Sequence, residues 1–429
     1  MSLWWPSFIL VGVVGVLLRV SRRPAFQPVF RWLPVPLWCY GLPMVLRATG
    51  WLPAASPAYT WTTTWLLPVA LGLLLFGVDL ASVWRLSAQA LIAMLVGALA
   101  IVLGGPVMLW ALHPYLPSDA WQGIGILAAT WTGGSLNMLA VQAVLNTPQT
   151  VLAPLIVVDA LIAYGWMACL VVVKGHETRI NRWLRATEAG TPHGLLRVAK
   201  QTEASGVAEG SAGCRRRRPT GCGAPRASPG GGTPHQGASV TPPAPPGKPG
   251  APWCAGALAV GLAAVCGWIA RPLPIGGLVA STTGWTVLLV TSLALLGSCV
   301  PSIRQLGSHS SAFGYLCLYV VLAVLGAQAS LTTLLATPGW MALGVGWLAI
   351  HVACLLVAGR LLRLPLGMLA TASQANVGGV VSAPLVGAVY HQQLAAVGLV
   401  LAIGGNAVGT YLGLASATFA RWLVHAFGF

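Results

Sequence analysis

Apolar residues along this chain come in long unbroken runs, without the alternation of a half-buried strand or the single stripe of a surface helix. Runs at 3–18, 32–46, 60–78, 87–112, 121–145, 147–173, 253–270, 279–300, 311–328, 338–359, 365–390 and 393–418 are set apart by glycine, proline or charge. Roughly 17 to 25 such residues cross the ~30 Å of bilayer hydrocarbon as a helix. The pattern predicts an all-α polytopic membrane protein of about 11–12 transmembrane helices in two halves, 1–173 and 253–429. The second run is the weakest, because Pro34, Pro36 and Pro43 interrupt it.

Two runs contain polar islands. The first is Thr130-Trp131-Thr132-Gly133-Gly134-Ser135-Leu136-Asn137, and the second is Thr371-Ala372-Ser373-Gln374-Ala375-Asn376-Val377-Gly378-Gly379. Adjacent glycines let the backbone unwind, and unwound backbone at membrane depth persists only where it is packed in protein or lines a wet cavity. Glycine-broken helices at corresponding places in two halves point to the midplane site of a secondary transporter. Thr130, Thr132, Gly133, Gly134, Ser135 and Asn137 are therefore candidate ligands, facing Ser373, Gln374, Asn376, Gly378 and Gly379, with Ser382 nearby. Half-helix N-termini offer N–H groups to an anion, and freed carbonyls offer oxygen to Na⁺. Close helix packing and one interhelical hydrogen bond would also account for either island alone.

The charge count looks at first like a nucleic-acid signature, at +16, but its distribution removes that reading. Twelve of the 23 basic residues and four of the seven acids lie between Lys174 and Lys248. The segment 174–252, with Arg215 to Arg218 and its prolines and glycines, reads as a basic disordered linker. If it is cytoplasmic, counting spans places Arg304, Arg360, Arg363, Arg421 and the C-terminus on the cytoplasmic side of a bacterial inner membrane. The first half is less constrained: six full spans would put Arg19 to Arg31 outside, and a re-entrant second run would remove that conflict. The order of glycines and asparagine reverses between the islands, which suggests inverted repeats, whereas an even number of spans per half gives parallel ones.

Asp79, Asp119 and Asp159 are the acids outside the linker. Asp159 falls in the middle of an apolar run, where a carboxylate is costly enough to be functional by default, as an ion ligand or proton carrier. Asp79 reads as an interfacial or capping group, and Asn406 as a weaker polar candidate. His113 and Asp119 sit in a proline-rich turn without a nucleophile. Cysteines are scattered singly without a CxxC pair, as buried thiols are. No GxxxxGK[ST] loop appears, so no ATP coupling is expected from the chain.

Leu66-Leu67-Pro68, Leu73 to Asp79, Gly133 to Asn137 and Ala372 to Gly379 resemble the YjcL-like family of integral membrane proteins, over nearly the whole chain apart from the linker. That family is distantly similar to the group of bile-acid/sodium symporters and cation/proton antiporters. The resemblance implies a core of broken, crossing helices beside a panel domain, moving by alternating access. It names no substrate. The paired aspartates of proton antiporters are missing, which favours sodium coupling.

The expectation is thus a secondary transporter of a small, anionic organic solute coupled to Na⁺ or H⁺, without a catalytic residue, structural metal or organic cofactor. Its partners would be membrane lipid and the solute, not nucleic acid, and a homodimer is compatible with it. From other classes come an intramembrane enzyme using Asp159 or His351 on a lipid-linked substrate, and a membrane scaffold or sensor using the basic linker.

Overall fold

The computed structural model of the chain describes residues 4–33, 35–83, 86–186, 251–332 and 337–428. Among them the helices are α1 (Trp5–Ser21), α2 (Gln27–Trp32), α3 (Val35–Ala48), α4 (Pro57–Phe76), α5 (Leu80–Val83), α6 (Ala88–Leu112), α7 (Ala120–Gly133), α8 (Ser135–Leu145), α9 (Gln149–Val173) and α10 (Glu177–Leu184). After the linker come α11 (Ala251–Ala270), α12 (Thr282–Ser298), α13 (Pro301–Gln328), α14 (Thr337–Leu362), α15 (Leu366–Val377), α16 (Gly379–Tyr390) and α17 (Gln392–Phe427). Seven helical stretches, 57–76, 88–115, 149–184, 253–270, 301–328, 337–362 and 392–427, are each long and apolar enough to cross a membrane. An eighth is α1 with its continuation through a 92° bend. The protein is an all-α polytopic membrane protein. Ser56, Ser87 and Ser281 open α4, α6 and α12 by accepting first-turn N–H groups at 3.3, 3.2 and 2.9 Å. Those donors have no partner within their own helix.

The two glycine-broken runs do not cross the bilayer. A Cβ on Gly125 near the start of α7 would stand 3.4 Å from Leu145 at the end of α8. A Cβ on Gly367 at the start of α15 would stand 2.9 Å from the Cβ of Tyr390 at the end of α16. Each run is a re-entrant hairpin, not the crossing broken helix that run length suggested. Gly134 and Gly379 permit the reversal: they take φ of 77° and 78°, which turns the chain back at the midpoint. Arms of 14, 11, 12 and 12 residues then reach only about 16–21 Å at ~1.5 Å per residue.

Contacts at the helix ends show which face each element meets. On the face where the linker attaches, Lys174 donates to the Tyr390 carbonyl at 3.1 Å, and Leu366 N–H donates to Asn181 at 2.8 Å. On the opposite face, Arg421 donates to the Gly277 carbonyl at 2.6 Å, Ala280 N–H donates to Val144 at 2.9 Å, and the rings of Trp110 and Phe427 lie 6.4 Å apart. The first hairpin therefore enters from the face opposite the linker, and the second from the linker face. Helix α17 ends opposite the linker, so Arg421 and the C-terminal helix end do not share the linker's side as span counting had them.

Taking the two hairpins out of the count leaves five helices per half whose end contacts alternate between the two faces, α1, α3, α4, α6, α9 and then α11, α12, α13, α14, α17, of which α3 and α12 are short at 14 and 17 residues. An odd number inverts the second half, as the reversed glycine and asparagine order suggested. The helices group into a panel of α1, α3, α4, α11, α12 and α13 and a core of α6, α9, α14, α17 and both hairpins, which meet chiefly where α8 packs on α12. Residues 174–184, placed with the linker by composition, are instead helical, with Leu184 fully buried. The remainder of the linker, 187–250, lies outside the described residues.

Candidate functional site

The hairpin tips meet. Gly134 and Ser135 from one and Val377 and Gly378 from the other line a single cavity of about 100 Å³. Thr130, Met138, Ile156, Asp159, Ala160, Ala163 and Tyr164 complete the core side, and Pro36, Leu37 and Leu322 supply the panel side. The cavity thus lies on the seam between the two bundles, with room for a solute of a few heavy atoms or an ion with some of its waters. Its polar lining is one carboxylate, three hydroxyls and the backbone at two helix breaks; among the described residues no Lys, Arg or His lines it.

Asp159 projects from α9 and accepts a hydrogen bond from the buried Thr130 hydroxyl at 3.4 Å. Neither described ion pair involves it. Gly134 N–H turns back to the Thr130 carbonyl at 2.6 Å, and the Gly134 carbonyl accepts from Asn137 and Met138 at 3.0 and 3.3 Å. The N-terminal turn of α8, beginning at Ser135, therefore opens on the cavity beside the carboxylate, with the α16 N-terminus beginning just past Gly378 on the other side.

Of the residues picked from sequence, Thr130, Gly134, Ser135, Asp159 and Gly378 line the cavity. The others stand outside its lining and hold the core around it. Asn137 donates to the carbonyls of Gly133 and Asn406 at 2.7 and 3.2 Å, and accepts from Thr410 N–H and hydroxyl at 3.0 and 2.6 Å. Its amide bridges the acceptor and donor of one turn of α17, so it is a strut and not a free ligand. Gly133 packs on the same helix: a Cβ there would stand 2.8 Å from the Gly405 carbonyl. Thr132 returns its hydroxyl to Ala128 of its own helix at 2.8 Å.

In the second island, Ser373 accepts the Trp166 indole N–H at 2.9 Å and bonds His351 Nε2 at 3.0 Å, while His351 Nδ1 donates to the Gly97 carbonyl at 3.0 Å. Asn376 donates to Met94 at 3.2 Å, tying α15 to α6, and its Oδ1 has no partner among the described residues. Gln374 donates to Ser382 and the Ala163 carbonyl at 3.0 and 3.4 Å, also leaving its Oε1 without a partner there. Gly379 makes the left-handed turn. Asp79 pairs with Arg304 at 2.8 Å, joining the end of α4 to the start of α13.

Sequence reasoning missed Tyr164 and the whole panel wall. Tyr164 had a weak signal, as a polar aromatic shortly after Asp159 in an apolar run. Pro36, Leu37 and Leu322 had none, because apolar residues in apolar runs look alike.

Comparison with known proteins agrees with this architecture at the level of family. The family described as Protein of unknown function (DUF819) matches residues 8–205 and 253–423. The chain is also similar to the "Uncharacterized membrane protein YjcL" of Bacillus subtilis (strain 168), at 29% identity over 116 residues. That alignment spans 27% of this chain and 29% of the relative's length.

Proposed function

We propose that this chain, which belongs to the DUF819 family, is a secondary active transporter that moves a small anionic organic solute with Na⁺ or H⁺. One observation carries the reading: two hairpins enter from opposite faces, and their tips share a cavity with a carboxylate on the seam of two bundles. Inverted halves can exchange conformations, so a site on the seam between panel and core is exposed first to one side and then to the other.

In this reading Asp159, with Thr130 and Ser135, takes the coupling cation. The turns opening α8 and α16 then face the anionic group of the solute with N–H donors. The order is electrostatic. Before the cation binds, the carboxylate repels an anion at the tips; afterwards the site is neutral and accepts it. Four of the hydrogen bonds that join panel to core lie at the face opposite the linker, Tyr40 to Gln149 at 3.3 Å, Ser281 to Ala143 at 3.3 Å, and the Ala280 and Arg421 bonds, while Ser292 and Tyr411, 2.8 Å apart, join α12 to α17 between their ends. The cluster of four supports a conformation closed on that side and poised to open toward the linker. Arg19, Arg22, Arg23, Lys174, Arg179, Arg182, Arg185, Arg304, Arg360 and Arg363 stand toward the linker face, against Arg47, Arg271 and Arg421 toward the other, which favours a cytoplasmic linker.

The enzyme alternative gains one feature, the His351–Ser373 hydrogen bond. Both residues are buried, neither lines the cavity, and the serine oxygen already takes the Trp166 indole proton. A nucleophile without access to substrate is better read as a tie between α14, α15 and α9.

The test is thermal unfolding of the purified protein in NaCl and in choline chloride across pH, with Asp159→Asn alongside. A ligand bound only by the folded state stabilises it by RT ln(1 + [L]/Kd), about 2.7 kcal/mol at a hundredfold excess over Kd. Wild type should gain stability with Na⁺ or with acid, and the variant should not. Equal responses of the two proteins would reject Asp159 as the coupling site.

A further inference from the structure

Directly after α9, on the linker face, the chain turns through Lys174–His176 into the amphipathic helix α10. Ile180 and Leu184 face the protein, and Leu184 packs beside Gly359 near the end of α14. The other side of the helix exposes Thr178, Arg179, Arg182 and Arg185, with Trp183 49% exposed. Arg360 adds a guanidinium 5.1 Å from the Trp183 ring and donates to the Trp183 carbonyl, and Arg363, three residues on, is exposed. The acid on this helix, Glu177, is already paired with Lys174. Among the described residues no acid pairs with Arg179, Arg182, Arg185 or Arg363.

We propose that this surface binds the headgroups of anionic phospholipids in the leaflet on the linker side. Depth, shape and charge all favour that occupant. The helix begins within a few residues of the end of a membrane span, so its exposed side lies at headgroup level. Leu361 and Leu362, 76% and 45% exposed at the end of α14, meet the acyl chains just below. An indole among arginines on a helix lying in the interface is the arrangement that reads an anionic membrane surface.

The consequence reaches the hairpin. Asn181 of α10 accepts the N–H of Leu366, the first residue of α15. Headgroups that hold α10 also hold the base of the hairpin whose tip lines the cavity. This inference does not depend on the transport reading, since it concerns a different surface and its own ligand.

The experiment uses the full chain purified in neutral detergent and titrated with phosphatidylglycerol or phosphatidylcholine, read by thermal unfolding and by native mass spectrometry of retained lipid. Three proteins are compared: wild type, Arg179→Ala/Arg182→Ala/Arg185→Ala, and Arg271→Ala on the opposite face. Phosphatidylglycerol should be retained and should raise the melting temperature of wild type and Arg271→Ala, and phosphatidylcholine should do neither. At about fivefold per arginine, the triple variant should bind phosphatidylglycerol roughly a hundredfold more weakly. If the triple variant is unstable in detergent, the single Arg182→Gln variant carries the same comparison with a fivefold loss. Equal stabilisation by both lipids, unchanged phosphatidylglycerol binding in the arginine variants, or binding of poly-glutamate in place of lipid would overturn the proposal.

Discussion

Replacing Asn137 by alanine separates a strut from a ligand. Its amide makes four hydrogen bonds, to Gly133 and Asn406 and from Thr410, and the residue is only 1% exposed. Hydrogen bonds between membrane helices contribute about 0.6 kcal/mol each on average, because the unfolded chain in lipid also finds partners. Four such bonds give roughly 2–3 kcal/mol, with a further contribution from the Gly133 carbonyl left buried and unpaired. Equilibrium unfolding in mixed SDS micelles should therefore show Asn137→Ala destabilised by about 2–3 kcal/mol, while the folded fraction keeps its cation-dependent thermal shift. Asp159→Asn should behave the opposite way, because the hydrogen bond from Thr130 to the carboxylate is long, at 3.4 Å. A result in which Asn137→Ala stays within about 0.5 kcal/mol of wild type yet loses the cation response would refute the reasoning and make the amide a ligand.

Gly134→Ala and Gly379→Ala should each destabilise the protein. Their φ of 77° and 78° lie in the left-handed region that favours glycine, so a side chain at either costs about 1–3 kcal/mol whatever space surrounds it. Unfolding energies within about 0.5 kcal/mol of wild type for either variant would contradict the reading of these glycines as the reversal points. Reporter tags placed after residue 428 and inside the linker should read opposite sides of the membrane, and tags reading the same side would remove the five-traverse count. Tyr40→Phe deletes the Tyr40–Gln149 bond across the seam, so labelling of cysteines placed at the cavity from the face opposite the linker should rise by up to about tenfold, for a bond contributing roughly 0.5–1.5 kcal/mol. Unchanged labelling would mean that this contact does not bias the conformation.

Much of the site was legible because polarity in hydrocarbon is conspicuous. Asp159, Thr130, Ser135 and one glycine of each pair, Gly134 and Gly378, stand out against apolar runs, and they meet in one cavity. Asn137, Ser373 and Asn376 stood out for the same reason yet serve to join helices. A buried amide looks the same in sequence whether its partner is a solute or a carbonyl of a neighbouring helix. His351 shows the same ambiguity: a candidate for an intramembrane enzyme by its position in an apolar run, it instead ties neighbouring helices through Gly97 and Ser373.

By itself, the sequence determined the solvent and the parts. Runs of apolar residues can satisfy their backbone in lipid only as helices, so an all-α membrane protein in two halves followed from composition and spacing. The same reasoning marked where each half breaks. Tertiary structure decided what the breaks do. A run of 121–145 is long enough to span, and nothing in its hydropathy tells a straight helix from two arms folded back at Gly134. That choice depends on whether α17 and α12 offer the arms surfaces to pack on, through Gly405, Gly409, Gly413 and Gly284. Because each hairpin removes a crossing, it also decided the side on which α17 ends, the inversion of the halves, and the meeting of both tips at Asp159.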